Sequence, residues 1–294
     1  MVTEELKTAL AKGGPHLGDL VWWSLDEARV NRTILESLWA SEGLDEKLLP
    51  EQPTPEKAIR QACREASVGL KKNNQEIRCA CETEAEIVFE VVNTEWDNGQ
   101  FKTIFHHESN IALDKTLSTA VPHVTGLDTP ITQTVQAKFT ELLTTHTTGD
   151  VGKMLVRTLG SFQAFSLRGN GGVYFVPSSN ASNTRALRTV VASLGASSLE
   201  IVPVHDSADA QKSLSAAAQK SLEKELAELV GELQDFVAKA PRETTLERRL
   251  ETFKDLRARA DFYRTLLGAQ VDGLEKGLEQ MTGIVEQMLA KVEE

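Results

Sequence analysis

The stretch Ala85–Leu113, AEIVFEVVNTEWDNGQFKTIFHHESNIAL, contains two runs in which apolar and polar residues alternate. Such alternation is typical of β-strands with one buried face. The runs are separated by Asp97–Gly99, and Asn-Gly between alternating runs is a strong hairpin signal because both residues tolerate positive φ. Together with the alternating run EIRCACE just before it, the stretch predicts a meander of at least three antiparallel strands over residues 76–113.

Towards the N-terminus, residues 1–75 are predicted to be helical. Ser24 with Glu27 has the pattern of a capping box, which predicts a helix that begins at Ser24 and ends at Gly43. Thr54 followed by Pro55 is a second helix start, since proline lacks the N–H that the first turn leaves unpaired.

After the meander and its linker (76–128), residues 129–206 are predicted to form a small α/β domain. Thr129 and Pro130 predict the start of a helix that runs to Thr145, and another helix follows it. The pattern then reads strand, glycine turn, strand, helix, strand, which is typical of a βαβ-type unit with a helix packed on a small sheet.

Residues 207–294 are predicted to form a long antiparallel helical hairpin, divided at Pro241. Apolar residues recur in steps of three and four, and a period of 3.5 residues is typical of a coiled-coil seam. A long narrow seam must be buried against another helix, so its residues form the predicted oligomer interface: Leu222, Leu226, Leu229, Leu233, Leu274, Leu278, Met281 and Val285.

The composition supports a folded protein with a packed core, and the helical and strand patterns along the chain predict the α+β class. The chain has 294 residues, 40% of them hydrophobic and 26% charged, with a formal net charge of −11. This charge disfavours broad adhesion to nucleic acid or anionic membranes but permits a local basic patch. We find no apolar run long enough to span a membrane and no signal-peptide pattern, and Cys63, Cys79 and Cys81 are interpreted as reduced thiols. We therefore expect a cytoplasmic protein with no membrane partner.

The glycine-rich stretch Arg168–Tyr174, RGNGGVY, decides whether a nucleotide cofactor is expected. A Walker A loop requires a lysine and a following helix, and a dinucleotide fingerprint also opens a helix. Here the glycines lead into the β-rich run VYFVP. We interpret the stretch as a tight hairpin turn in which glycine supplies positive φ, and we expect no cofactor.

Catalytic and metal-binding motifs are absent from the sequence. The histidines and cysteines lack the spacing of zinc ligands, and there is no GxSxG nucleophile elbow. Only His205 and Asp206, at the end of a predicted strand, are candidates for chemistry. We therefore expect no metal, no catalytic residues and no enzymatic activity, with an enzyme site near these two residues as an alternative.

Basic residues cluster in the middle of the chain, near several aromatic residues. Two of them, Arg185 and Arg188, are three apart near a helix N-terminus, where anions are favoured. A solvated helix face is the other interpretation. The candidate nucleic-acid contacts are Lys138, Lys153, Arg157, Arg168, Arg185 and Arg188.

The C-terminal half carries a resemblance to a known family. The runs RGNGGVYFVP, LEIVPVHD and TLERRLETFKDLRARADFYRTLLG, from about Phe162 onwards, are similar to an uncharacterised protein family of bacteria, archaea and mobile elements. The resemblance implies the order glycine turn, strand, helix, strand and long helical region. It implies no activity.

Taken together, these patterns predict a non-enzymatic interaction or scaffold protein. It would assemble through its C-terminal helices, either with itself as a homo-oligomer or with another helical protein. The alternative is a nucleic-acid-associated protein of a phage, plasmid or host, which would use the basic residues of the central domain.

Overall fold

A computed structural model describes residues 15–26, 28–97, 99, 102–116, 124–126, 129–168, 171–239, 243–267 and 283. The strands in these ranges are β1 (His16–Ser24), β2 (Val30–Asn31), β3 (Gln75–Glu82), β4 (Glu86–Asp97), β5 (Lys102–Asp114), β6 (Val124–Gly126), β7 (Thr145–His146), β8 (Phe165–Ser166), β9 (Tyr174–Pro177) and β10 (Ser198–His205). The α-helices are α1 (Arg32–Ser41), α2 (Pro55–Leu70), α3 (Pro130–Leu142), α4 (Thr148–Ser161), α5 (Ala181–Ala192), α6 (Ala208–Lys239) and α7 (Glu243–Leu267).

The chain forms two compact units. Unit 1 comprises Met1–Asp26, Ser41–Leu44 and Met154–Glu294, and unit 2 comprises Glu27–Ala40 and Asp45–Lys153. The boundary between the two units follows Lys153 and lies inside α4. It falls within residues 129–206, which the sequence predicts to form a single α/β domain.

Unit 2 contains the predicted meander. Its main sheet has the strand order β3-β4-β5-β6, and every neighbouring pair is antiparallel. Asp97 pairs with Lys102 at the end of the β4–β5 hairpin, as the Asp97–Gly99 signal indicates. The prediction of antiparallel strands over residues 76–113 is confirmed, and β6 adds a fourth strand within the predicted linker.

Two helices, α2 and α3, cover one face of this sheet. Their apolar residues share a core with alternate residues of the strands; its buried members are Ala58, Ile59, Ala62, Cys63, Ile87, Phe89, Val91, Ile111, Leu113, Val135, Phe139 and Leu142. Both predicted caps are observed, because Thr54 accepts from the N–H of Lys57 and Thr129 accepts from the N–H of Thr132. α3 ends at Leu142 rather than at Thr145.

The sheet of unit 1 corrects the N-terminal prediction. Its strand order is β10-β1-β9-β8, with all neighbours antiparallel. Residues 1–75 are therefore not all helical: β1 is a central strand that ends at Ser24, and α1 begins at Arg32. Pairing with two strands distant in the sequence outweighs the local capping-box pattern. The predicted order of β9, α5 and β10 is observed, but β1 lies between the two strands.

Helices cover both faces of this sheet. Leu17, Phe165 and Phe175 share a core with residues of α6 and α7, whereas α5 packs against β9 and β10. The α6–α7 contacts include a hydrogen bond from Ser215 to the Leu267 carbonyl at 3.2 Å. The α+β class is thus observed, and the long hairpin with a coiled-coil seam over residues 207–294 stays a prediction.

Candidate functional site

The charged face of α2 is the starting point of the candidate site. Ala58, Ile59, Ala62 and Cys63 are buried in the core of unit 2. With 3.6 residues per turn, the positions on the opposite side of the helix point away from the core. Lys57, Arg60 and Arg64 occupy such positions at steps of three and four residues, so the helix presents a basic stripe.

This stripe lines two adjoining cavities in unit 2, with volumes of about 650 Å³ and 330 Å³. Both are lined by Gln61, Arg64, Thr147, Asp150 and Lys153, so they form one depression, which we term the basic groove. Its walls come from the loop before β2, α2, α3 and the start of α4. Its basic residues are Arg29, Lys57, Arg60, Arg64, Lys138 and Lys153.

Glu65 holds two of these cations in place. Its carboxylate lies 2.7 Å from Arg29 Nη2 and 3.4 Å from Lys138 Nζ. Burial alone would raise the pKa of Glu65, but the hydrogen bonds from Arg29 and Gln61 outweigh burial and place its pKa below the usual value. Glu65 is therefore ionised at neutral pH and partly neutralises the groove.

Three other cations have no such partner. Among the residues that the structure describes, Lys57, Arg64 and Lys153 form no ion pair, and all three are exposed. The nearby Asp150 carboxylate instead accepts hydrogen bonds at 2.9 Å from both the N–H and the hydroxyl of Thr147, in a capping arrangement at the start of α4. Arg60, the remaining groove cation, is paired with Glu82. The uncompensated positive charge of the groove therefore comes from Lys57, Arg64 and Lys153.

The predicted nucleic-acid residues divide between the two units. Lys138 and Lys153 lie together in the basic groove. The other four, Arg157, Arg168, Arg185 and Arg188, belong to unit 1 and have exposed side chains. Arg168 lines a cavity of about 620 Å³ of mixed charge beside the glycine turn, and Arg185 pairs with Asp19 at 3.3 Å.

Four groove residues escaped the sequence analysis: Arg29, Lys57, Arg60 and Arg64. The basic cluster predicted from the sequence lies between residues 138 and 188. The spacing of Lys57, Arg60 and Arg64 along α2 was a usable signal. No sequence pattern indicates Arg29, since it lies in a loop and reaches the groove only through the tertiary fold.

The predicted oligomer interface lies partly inside unit 1. Leu222, Leu226 and Leu229 are buried in its core within one chain, against the same cluster as Phe165 and Phe175. The Leu233 side chain and Leu274, Leu278, Met281 and Val285 lie outside the described residues.

Two described glycines of the predicted turn have the expected positive φ. Gly171 and Gly172 have φ of 77° and 94°, which glycine adopts freely. The strands on either side pair, with Phe165 opposite Phe175.

The three thiols differ in exposure, since Cys63 is buried whereas Cys79 and Cys81 are exposed. Burial raises the pKa of Cys63 to about 12, so this thiol stays protonated at neutral pH. In the same part of the chain, no group of three or more His, Cys, Asp or Glu side chains could hold a metal ion. None of the helices there is both long and apolar enough to cross a membrane.

The candidates for an enzyme site, His205 and Asp206, lie where β10 ends. The His205 ring centroid is 6.0 Å from that of His16 on the neighbouring strand. Asp206 donates its backbone N–H to the Pro15 carbonyl and accepts from the Gln211 side chain. These contacts place both residues beside the start of β1.

Comparison with known proteins places the chain in a family. No curated protein and no solved structure matches it. The profile of DUF6744, a family of unknown function, matches residues 16–294 and therefore includes described parts of both units. The expected membership of a family without known activity is confirmed and extends beyond the C-terminal half. The chain belongs to the DUF6744 family of unknown function.

Proposed function

We propose that the protein binds the phosphate backbone of nucleic acid through the basic groove of unit 2. The observation that carries the proposal is the charge of this groove: six basic and three acidic side chains line it, in a chain whose formal net charge is −11. Basic residues concentrated on one surface of an acidic protein favour binding of a polyanion at that surface.

The side chains of the groove suit phosphate rather than bases. No Phe, Trp, Tyr or His is among the described residues that line it, so it offers no ring on which a base could stack. Arg and Lys side chains are typical phosphate contacts. We therefore expect binding with little dependence on base sequence.

The salt dependence of binding tests the proposal. Fluorescence anisotropy with a labelled DNA duplex of about 20 base pairs should show affinity that falls steeply with salt, with a log–log slope of about −0.9 per phosphate contacted. Arg64→Gln and Lys153→Gln should each weaken binding and reduce that slope by about one contact. Arg188→Gln is the matched control, because Arg188 is exposed in unit 1.

Glu65→Gln provides a test of opposite sign. This change removes the acid that Arg29 and Lys138 share and keeps the size of the side chain. Lys138 then loses its ion pair, whereas Arg29 keeps its ion pair with Glu141. We expect tighter binding and a steeper salt slope, although the folded state loses ion pairs. Equal affinity of all four variants and the wild type, or the absence of binding at low salt, would contradict the proposal.

Assembly through the C-terminal helices is the second candidate function. It is supported by two long helices, α6 and α7, which run antiparallel where they touch: Ser215 contacts Leu267, and Glu225 contacts Arg259. Leu222, Leu226 and Leu229 are covered within the chain. We therefore assign the contact between copies to the later seam residues, Leu274, Leu278, Met281 and Val285.

A further inference from the structure

A cavity in unit 1 lies between the β8–β9 hairpin and helix α6. Its volume of about 620 Å³ is within the range typical of small-molecule sites. The hairpin contributes Leu167, Arg168 and Tyr174 to its lining, and one face of α6 contributes Ala217 and Lys220. The basic groove belongs to the other unit, so this cavity is a separate feature of the molecule.

The apolar part of the cavity is fixed by the core of unit 1. Leu167 and Ala217 are half-buried and pack against the buried cluster that includes residues of α6 and α7. The Tyr174 ring stacks on Trp23 of β1, with ring centroids 5.4 Å apart and an angle of 16° between the ring planes. These side chains therefore offer a ligand a surface that is already formed.

The two carboxylates that line the cavity are already paired with cations. Glu225 lies 2.6 Å from Arg259 Nη1 and 3.3 Å from Arg259 Nη2. Glu228 lies 3.8 Å from Lys224 Nζ. Opposite charges at these distances largely cancel for a ligand farther away. The charge available to a ligand is therefore set by the other cations of the cavity.

Three donor groups of the cavity have no side-chain partner among the described residues: the Arg168 guanidinium, the Lys220 ammonium and the Tyr174 hydroxyl. The hydrogen bonds of Arg168 use its backbone, which contacts Ser166 and the Gly171 N–H. Burial raises the pKa of Tyr174, so its hydroxyl keeps its proton at neutral pH.

The glycine turn brings two of these donors to the same end of the hairpin. Gly171 donates its N–H to the Arg168 carbonyl at 3.0 Å. A Cβ atom at Gly171, where φ is 77°, would lie 3.1 Å from the Tyr174 hydroxyl oxygen. The hydroxyl therefore lies at the turn that carries Arg168, and Lys220 lines the same cavity from α6.

We propose that this cavity binds a small organic phosphate monoester. The phosphate group accepts from Arg168, Lys220 and Tyr174, and the apolar part of the molecule lies on Leu167 and Ala217. Three separate donors suit the three terminal oxygens of such a phosphate better than the two oxygens of a carboxylate. The two unpaired cations also balance the charge of about −2 that a phosphate monoester carries at neutral pH.

Solvated surface cations without a ligand would give a different result. Such cations attract any anion through screened charge, so binding would not saturate at millimolar ligand. Removal of a charge outside the cavity would then have the same effect as removal of Arg168. Saturation and a matched lysine variant therefore separate the two interpretations.

The experiment is a titration of the full chain with phenyl phosphate at constant ionic strength. Calorimetry should give a saturable heat with a Kd of about 1 mM or lower. The indole N–H NMR signal of Trp23, assigned with Trp23→Phe, should shift along the same curve because Trp23 stacks on Tyr174. Trp39 and Trp96 in unit 2 serve as internal references.

Arg168→Gln and Lys220→Gln should each weaken binding about tenfold, since each removes a charged donor. Tyr174→Phe keeps the ring and removes the hydroxyl, so it should weaken binding several-fold. Lys212→Gln is the matched control and should keep the wild-type affinity, because Lys212 is exposed on α6 and does not line the cavity. Benzoate, which carries a carboxylate on the same ring, should bind about tenfold more weakly than phenyl phosphate.

Four results would overturn the proposal. They are the absence of a saturable heat, a Trp23 signal that does not follow the heat, Arg168→Gln and Lys220→Gln proteins that bind as tightly as Lys212→Gln, and benzoate that binds as tightly as phenyl phosphate. Thermal unfolding checks that each variant is folded. None of these results bears on the basic groove, because the groove residues changed in the DNA-binding test lie in unit 2.

Discussion

His146 illustrates how a single buried side chain can set the pH dependence of stability. It lies in the short β2–β7 pair opposite Val30, has a relative exposure of 1%, and its Nδ1 has no hydrogen-bond partner among the described residues. Burial lowers the pKa of His146; the Asp150 carboxylate opposes this effect and the Arg32 guanidinium adds to it. The folded state therefore resists protonation that the unfolded chain accepts.

The sign of the effect follows from proton linkage. An unfolded histidine binds its proton as the pH falls through about 6.5, whereas His146 in the folded protein does so only at lower pH. Stability should therefore be complete above about pH 6.5 and decline below it, by up to about 1.4 kcal/mol per pH unit, until the folded-state pKa is reached.

We expect His146→Gln to reduce the loss of stability between about pH 7.5 and about pH 5.5, measured by denaturant unfolding. His107→Gln is the control, since His107 is exposed on β5 and should retain the wild-type dependence. A His146→Gln protein with the same pH dependence as the wild type would show that another group controls it.

At the scale of elements, strand β1 lies between β10 and β9 and packs closely against β9 at Gly18. We expect Gly18→Ala to lower stability by roughly 3 kcal/mol, because the added methyl group must displace the β9 backbone. Gly231→Ala is the matched control: Gly231 lies in α6, and apart from the nearby backbone of that helix no atom of the described residues is within 4 Å of an added Cβ. It should stabilise the helix by up to about 1 kcal/mol. Thermal unfolding of both variants measures the difference, and a Gly18→Ala protein as stable as the wild type would refute the close packing.

At the scale of the whole molecule, the C-terminal seam separates into a part buried in unit 1 and a part assigned to assembly. Light scattering after size exclusion should give a mass above the 32.3 kDa of one chain at tens of micromolar protein. Leu278→Glu should return it to the monomer mass, since a charge cannot be buried in an apolar seam.

Leu222→Ala is the contrasting variant. Leu222 is 1% exposed in the core of unit 1, so its truncation should cost about 2–5 kcal/mol of stability without changing the oligomeric mass. A strictly monomeric wild-type protein would exclude self-assembly. A Leu278→Glu protein that keeps the wild-type oligomeric mass would show that the contact between copies lies at other residues.

Several elements could be predicted because their signals are local. The caps at Thr54 and Thr129, the β4–β5 hairpin and the glycine turn each depend on residues within a few positions of one another. β1 could not be predicted this way. Its sequence HLGDLVWWS lacks clean alternation because helices cover both faces of its sheet, and Ser24 happened to fit a helix start.

The candidate sites likewise combine features that the local sequence indicates with features that only the tertiary structure shows. The spacing of basic residues along α2 predicts the basic stripe. The groove, however, also requires Arg29, Lys138 and Lys153 from three other segments. Asp19 and Arg185 are 166 residues apart in the chain. No pattern over a few neighbouring residues can predict that Asp19 and Arg185 form an ion pair.

By itself, the sequence determined the helix starts at Thr54 and Thr129, the hairpin, the positive φ of the described turn glycines and the α+β class, since these follow from backbone preferences and apolar periodicity over a few residues. Only the tertiary structure decided that β1 enters the sheet between β9 and β10, that six cations converge on one groove, and that the buried Asp19 carboxylate pairs with both His16 and Arg185. The physical reason is that burial and charge pairing depend on which distant segments are in contact, and these contacts are determined by packing of the whole chain.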